Sequence, residues 1–268
     1  MVKKKRKMHN IVLFDMDGTL TPPRKPIEDD VIQALKELLS VTKVGLVTGS
    51  GYEYVKQQCA SFLSSDISLE NFYILPCNGT QKYSLRDGKW VQDFSLNMRQ
   101  SIGDRDYNYL VRELLYHQYL CSLTSNGYGF NLAGNFIAYR NSMLNWSPTG
   151  RSANHNDREL FVEADKQFGI RKKVYKKLTS NERLSQKLSF SMGGSTSIDI
   201  YPHGWDKTYA LNHFEDHNYW FVGDRCTMDA GNDKPIYDKV NELFPGQAFE
   251  VEETAQTIEI IKNIIKNL

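Results

Sequence analysis

Ile11-Val12-Leu13-Phe14 runs without a break into the polar turn Asp15-Met16-Asp17-Gly18-Thr19-Leu20-Thr21. Successive side chains of an extended segment point to opposite faces, so four apolar residues in a row describe a strand covered on both sides. Such strands belong to parallel sheets with helices above and below. The same pattern returns in Val44-Gly45-Leu46-Val47, closed by Thr48-Gly49-Ser50, in Phe72-Tyr73-Ile74-Leu75, and late in the chain in Tyr219-Trp220-Phe221-Val222, which ends at Gly223-Asp224. Helical spacing fills the gaps. Val31, Ala34, Leu35 and Leu38 fall on one stripe of a helix predicted over 27–39, and Tyr52, Val55, Cys59 and Phe62 on a second, with Ser50 and Glu53 fitting a capping box at its start. Ile258, Ile261 and Ile265 mark a closing helix. Strand alternating with helix in this way predicts a doubly wound α/β sheet.

The middle of the chain reads differently. Asp87-Gly88 signals a turn between Lys82-Tyr83-Ser84 and Trp90-Val91, and from there amphipathic helices mix with short alternating strands such as 135–139 and 196–200. An α+β insertion over 86–203 is therefore expected, splitting a core made of 1–85 and 204–268. The length of 268 residues suits one large domain or a core carrying an insertion. A net charge of +1 argues against a general nucleic-acid binder. No apolar run is long enough to span a membrane. Cys59, Cys77, Cys121 and Cys226 form no C-x-x-C pair and no secretory signal opens the chain, so the thiols are expected to be reduced, in a cytoplasmic protein. Lys3, Lys4, Lys5, Arg6 and Lys7 read as a solvated tail before the first strand.

Ligands of open α/β sheets bind beyond the carboxyl ends of the strands, where the first strand delivers Asp15 and Asp17. Spaced by two, both can point toward one pocket. A carboxylate can attack phosphorus and become an aspartyl-phosphate, and a second can protonate the leaving oxygen. Gly18 permits a sharp turn, and Thr19 can hydrogen-bond within it. Strand plus Asp-Met-Asp-Gly-Thr-Leu-Thr resembles the haloacid-dehalogenase-like (HAD) superfamily of phosphotransferases, in which the first Asp is phosphorylated and the second is the acid/base. The resemblance implies a Rossmannoid core with an inserted cap. Thr48 or Ser50, at the end of the second strand, would hold a phosphoryl oxygen. Lys207, in Gly204-Trp205-Asp206-Lys207, would neutralise phosphate charge. Hard cations such as Mg²⁺ prefer carboxylate oxygens. By resemblance Asp15, the backbone carbonyl of Asp17 and Asp224 supply that site, supported by Asn232 and Asp233.

The insertion narrows the substrate. It carries Tyr139-Arg140-Asn141-Ser142-Met143-Leu144-Asn145-Trp146-Ser147-Pro148-Thr149-Gly150-Arg151-Ser152, then Asp157-Arg158-Glu159, and later Gly193-Gly194-Ser195-Thr196-Ser197-Ile198-Asp199 leading to Gly204-Trp205-Asp206-Lys207. These runs resemble the cap of the eukaryotic-type α-phosphomannomutases, a HAD branch. The match implies that Arg140, Arg151 and Arg158 hold the phosphate distal to the reaction, a task suited to permanently charged, bidentate guanidinium groups. It implies that Ser197 and Asp199 bind the distal phosphate and sugar hydroxyls, and that Arg24 faces the substrate from the core. It further implies interconversion of mannose 6-phosphate and mannose 1-phosphate on the route to GDP-mannose, with Mg²⁺ and a hexose 1,6-bisphosphate activator, in a homodimer formed through the caps. A HAD sugar-phosphate phosphatase is the alternative, since a hydrolase needs only the first phosphate site. A non-catalytic sugar-phosphate binder is the third, disfavoured by the intact Asp15, Asp17, Lys207 and Asp224.

Overall fold

The computed structural model describes residues 9–229 and 231–268; the basic run at 3–7 lies outside the described residues. In chain order the strands are β1 His9–Phe14, β2 Lys43–Val47, β3 Phe72–Leu75, β4 Gln81–Arg86, β5 Lys89–Ser95, β6 Ile137–Tyr139, β7 Leu144–Trp146, β8 Leu188–Gly193, β9 Ser197–Pro202, β10 His217–Gly223 and β11 Ala248–Glu250. They make a seven-stranded sheet, β11-β10-β1-β2-β3-β4-β5, and a four-stranded one, β6-β7-β9-β8. Each sheet belongs to its own compact unit. The first comprises residues up to Ser95 together with Trp205–Leu268, the second Leu96–Gly204.

In the first unit β11, β10, β1, β2 and β3 run parallel. The apolar runs do what their lack of alternation requires. Val12 and Phe14 enter a core shared with the helices Asp29–Leu39 and Thr254–Asn267, through Val31, Leu35, Leu38, Ile261 and Ile264. Ile11 and Leu13 point the other way, into a core with Ala210, Leu211, Ile236 and Val240. The chain leaves β1 toward β2 on one side and returns through β10 on the other, so β1 and β10 flank a topological switch point.

The boundary expected at 85/86 moves to 95/96. β5 pairs with β4 from Arg86 opposite Lys89 to Gln81 opposite Ser95, and β4 pairs antiparallel with β3. The hairpin thus extends the large sheet and is not part of the insertion. Gly204 likewise closes the second unit, and the first resumes at Trp205.

The stripe Tyr52, Val55, Cys59, Phe62 is packed as expected, but over two helices, Tyr52–Gln58 and Ala60–Leu63. The capping box is absent. Gly51 is the N-cap and no side chain caps it, which leaves the Ser50 hydroxyl outside the helix.

The second unit lays helices Asp104–Tyr128, His155–Phe168 and Ile170–Thr179 beside the four-stranded sheet. Trp146 of β7 is fully buried and donates its Nε1–H to Gln118 Oε1 of the long helix at 3.0 Å. Among the described residues no helix is long and apolar enough to cross a membrane, and all four cysteines are free and buried.

Candidate active site

Asp15 follows β1, and its backbone N–H donates to the Val222 carbonyl of β10 at 2.9 Å, locking the two strand ends side by side. Gly18, at φ 90°, turns the chain back here. A Cβ on it would lie 2.5 Å from Asp224 Oδ2, so the turn after β1 presses directly on the carboxylate after β10. Thr19 does not hydrogen-bond through its hydroxyl within this turn; Thr21 does, donating to the Met16 carbonyl at 3.2 Å.

Lys207 begins the 3₁₀ helix Lys207–His213 and is fully buried. Its ammonium donates to Asp15 Oδ1 and to Asp233 Oδ1. Asp15, Asp224 and Asp233 each offer an oxygen within 4.8 Å of the others. Two of these carboxylates thus share one ammonium, and Asp224 lies 3.5 Å from Arg225 Nε. Burial, with Asp233 and Asp224 adding to it, pushes the Asp15 carboxyl well above its usual range despite Lys207. Burial and Asp233 push Asp224 up to about 6. Burial works against the Lys207 charge, but Asp15 and Asp233 outweigh it and hold the ammonium above the ordinary lysine value. The cluster is short of positive charge, and its donors are hard oxygens, the set a divalent cation such as Mg²⁺ takes. Asn232 Oδ1, beside Asp233 in the chain, is buried with no hydrogen-bond partner among the described residues. The residues fit such an ion.

Asp17, two residues on, has hydrogen-bond partners of its own. Its carboxylate is not among the three oxygens gathered there. Oδ1 accepts from the Arg24 backbone N–H at 3.0 Å and from the Tyr54 hydroxyl at 3.1 Å. At the end of β2, Thr48 Oγ1 is buried and accepts from the Ser50 N–H at 3.0 Å. The carbonyls of Thr48 and Ser50 accept from Asn78 N–H at 2.8 Å and Cys77 N–H at 2.9 Å.

The loop 224–233 departs from uniform hydrogen bonding in one useful way. Glu250, at the end of β11, accepts from the backbone N–H groups of Cys226 and Thr227 at 2.9 Å each and from the Thr227 hydroxyl at 2.7 Å. Sequence reasoning missed this clamp, because an acidic residue ending a short strand carries no motif.

In the second unit Ser197 and Asp199 share a face of β9, and Asn145 on β7 stands opposite Asp199. Asn145 Nδ2 donates to Asp199 Oδ1 at 2.6 Å and to Ser197 Oγ at 2.8 Å. Its Oδ1 accepts from Arg151 Nη1 at 3.2 Å. Arg140 Nη1 lies 3.9 Å from Asp199 Oδ1, with both side chains largely buried. Arg158 donates through Nη1 to Thr196 Oγ1 at 2.8 Å and through Nη2 to the Arg151 carbonyl at 3.1 Å. The structure therefore joins Arg140, Arg151, Arg158, Ser197 and Asp199 into one network. Asn145 is its hub, a residue whose importance shows only when β7 and β9 are set in register.

The model of one family, described as eukaryotic phosphomannomutase, matches residues 31–267. The chain belongs to the eukaryotic phosphomannomutase family. The matched span begins after the Asp15 turn, so that turn is an observation separate from the family match. Among similar proteins of this family, a phosphomannomutase of Arabidopsis thaliana is 36% identical over 230 residues, covering 85% of this chain and 87% of that one. Phosphomannomutase 2 of Dictyostelium discoideum is 31% identical over 258 residues, covering 95% and 96%. Phosphomannomutase 1 of Mus musculus is 35% identical over 237 residues, covering 87% and 85%. Among solved structures, the C-terminal domain of a C. albicans trehalose-6-phosphate phosphatase gives a TM-score of 0.61 at 13% identity, covering 97% of this chain and 94% of that one. An N-terminally truncated Plasmodium falciparum IMP-nucleotidase gives 0.60 at 18%, covering 97% and 71%. At these identities the likeness is one of fold, and it agrees with a HAD-like α/β core bearing an α+β insertion.

Proposed function

We propose that this chain is a phosphomannomutase, moving a phosphoryl group between the 6- and 1-positions of mannose through an aspartyl-phosphate and a hexose 1,6-bisphosphate. The observation that carries the reading is Asp15 held against Lys207, with Asp224 and Asp233, at the switch point between β1 and β10 in a member of this family. Asp15 is the nucleophile. Asp17 gives a proton to the leaving oxygen and takes one from the acceptor. Lys207 holds Asp15 in place and lowers its repulsion toward phosphate. Asp15, Asp224, Asp233 and the Asp17 carbonyl would hold Mg²⁺, with Asn232 behind Asp233. Bound there, the ion supplies charge that draws a phosphoryl group and a carboxylate together.

Of the two hydroxyls after β2, we assign the phosphoryl contact to Ser50. Thr48 Oγ1 is committed to the turn, whereas the Ser50 hydroxyl is half-buried and takes no hydrogen bond among the described residues. Arg140, Arg151 and Arg158, with Ser197 and Asp199, take the distal phosphate and sugar hydroxyls, and Arg24 serves the substrate from the first unit. This set separates a mutase from a hydrolase, since only the mutase must grip a second phosphate.

The test is ³¹P NMR of mannose 1-phosphate with Mg²⁺ and a hexose 1,6-bisphosphate. Mannose 6-phosphate is expected as the main product. Free mannose and inorganic phosphate as main products would replace the mutase by a phosphatase.

The homodimer has a candidate face in the second unit. Leu115, Tyr116, Tyr119, Leu120 and Leu123 are exposed along one side of the helix Asp104–Tyr128. An apolar stripe of this kind marks a partner site more often than a wet surface. Sedimentation is expected to return twice the 30.9 kDa chain mass, and Tyr119→Asp to return the monomer.

A further inference from the structure

We propose that Tyr54 is a positioning residue that aims the Asp17 carboxyl for proton transfer, an inference that rests on the phosphoryl-transfer reading above. The sequence offers no hint of it. Tyr54 lies off the buried stripe of its helix, between Tyr52 and Val55, and belongs to no motif. In the fold its ring packs partly against the core and its hydroxyl reaches Asp17 Oδ1 at 3.1 Å. The Arg24 N–H reaches the same oxygen at 3.0 Å, from a residue held at φ 63°. A non-glycine residue in the left-handed region is strained, and such strain persists where surrounding contacts over-determine it. Here the contacts come from three segments: the β1 turn, the proline-rich loop and the helix after β2.

The consequence is an asymmetry between the two carboxyl oxygens. Oδ1 is engaged by two donors. No hydrogen bond reaches Oδ2 among the described residues. With Oδ1 held by two donors, Oδ2 is the oxygen left to exchange a proton with the substrate. When Asp15 bonds to phosphorus and the phosphorus–oxygen bond of the sugar phosphate breaks, the proton on Oδ2 passes to the leaving oxygen. In the return half-reaction Oδ2 takes the proton of the incoming hydroxyl. Tyr54 itself exchanges nothing; it fixes which oxygen does.

The experiment compares Tyr54→Phe with the unaltered enzyme on two substrates. Hexose phosphates leave as alkoxides and need the proton. p-Nitrophenyl phosphate leaves as a stable phenolate and does not, so its burst reports attack by Asp15 alone. Hydrogen bonds to charged groups are the stronger kind. Tyr54→Phe is therefore expected to lower kcat on mannose 1-phosphate roughly tenfold or more, with KM and the p-nitrophenol burst rate within about twofold of the parent. In an Asp17→Asn background the same substitution is expected to change nothing further, because the two act as one unit. An equal fall on both substrates would make Tyr54 merely structural, and no fall on either would leave it without a role; each overturns the proposal. If Asp17→Asn alone retains full activity, the acid/base assignment fails instead, and that result is distinct from a Tyr54 that fails to matter.

Discussion

Asp15→Asn is expected to remove turnover of mannose 1-phosphate, by roughly 10⁴-fold or more, in a protein that still folds. An amide of the same shape has no charge with which to attack phosphorus. The fold is expected to survive because Asp15 is a costly resident of its site. It is 4% exposed, and burial and two neighbouring carboxylates hold its pKa well above the usual range. The substitution removes one negative charge from a cluster with too many, and Lys207 keeps Asp233 as partner. Acid-quenched enzyme given radiolabelled hexose bisphosphate should carry label in the parent and none in the variant, with circular dichroism unchanged. A fully active Asp15→Asn protein would refute the nucleophile.

Lys207→Met should be the most damaging change to both activity and stability. Lys207 is wholly buried between two carboxylates, and methionine matches its length without its charge. Breaking one partner out of a buried ionic cluster costs about 3–5 kcal/mol, because the remaining charges are left uncompensated. The pH dependence follows from the direction of the shifts. Asp15 and Asp224 are raised above their unfolded values, Asp224 to about 6. The folded state then binds more protons than the unfolded one, so stability falls as pH rises through that range. Without Lys207 the effect should grow. The variant is expected to melt higher at pH 5 than at pH 7.5, and to gain more than the parent from added Mg²⁺. A melting temperature equal to the parent's and flat with pH would show that Lys207 is no keystone of the cluster.

How much of this was legible beforehand varied by residue. The β1 strand and its Asp15 turn were plain, because a doubly buried strand leaves an unbroken apolar run. The extent of the large sheet was not. The hairpin about Asp87-Gly88 could be read, but all of β5, Lys89–Ser95, is exposed or half-exposed, and only the pairing of β4 with β3 assigns the hairpin to this sheet. Ser50 looked like a helix cap because its spacing to Glu53 allows one. The chain took Gly51 as the cap instead, which freed the hydroxyl. Tyr54, Asn145 and Glu250 went unseen for a common reason: each acts on a residue distant in sequence, and no local spacing records it.

The order of residues alone determined the chemistry at hand: a carboxylate pair at a strand end, a lysine and a second acidic loop in sequence, and arginines in the spacing of a phosphate-binding cap. Those are local patterns, set by backbone geometry within a few residues. Tertiary structure decided how they are used. It placed Lys207 against Asp15, 192 positions earlier in the chain, and against Asp233, gathered Asp224 into the same carboxylate cluster, and set Asp17 against Arg24 and Tyr54. The physical reason is that charge balance in a buried site depends on distances in space, and only the folded chain sets them.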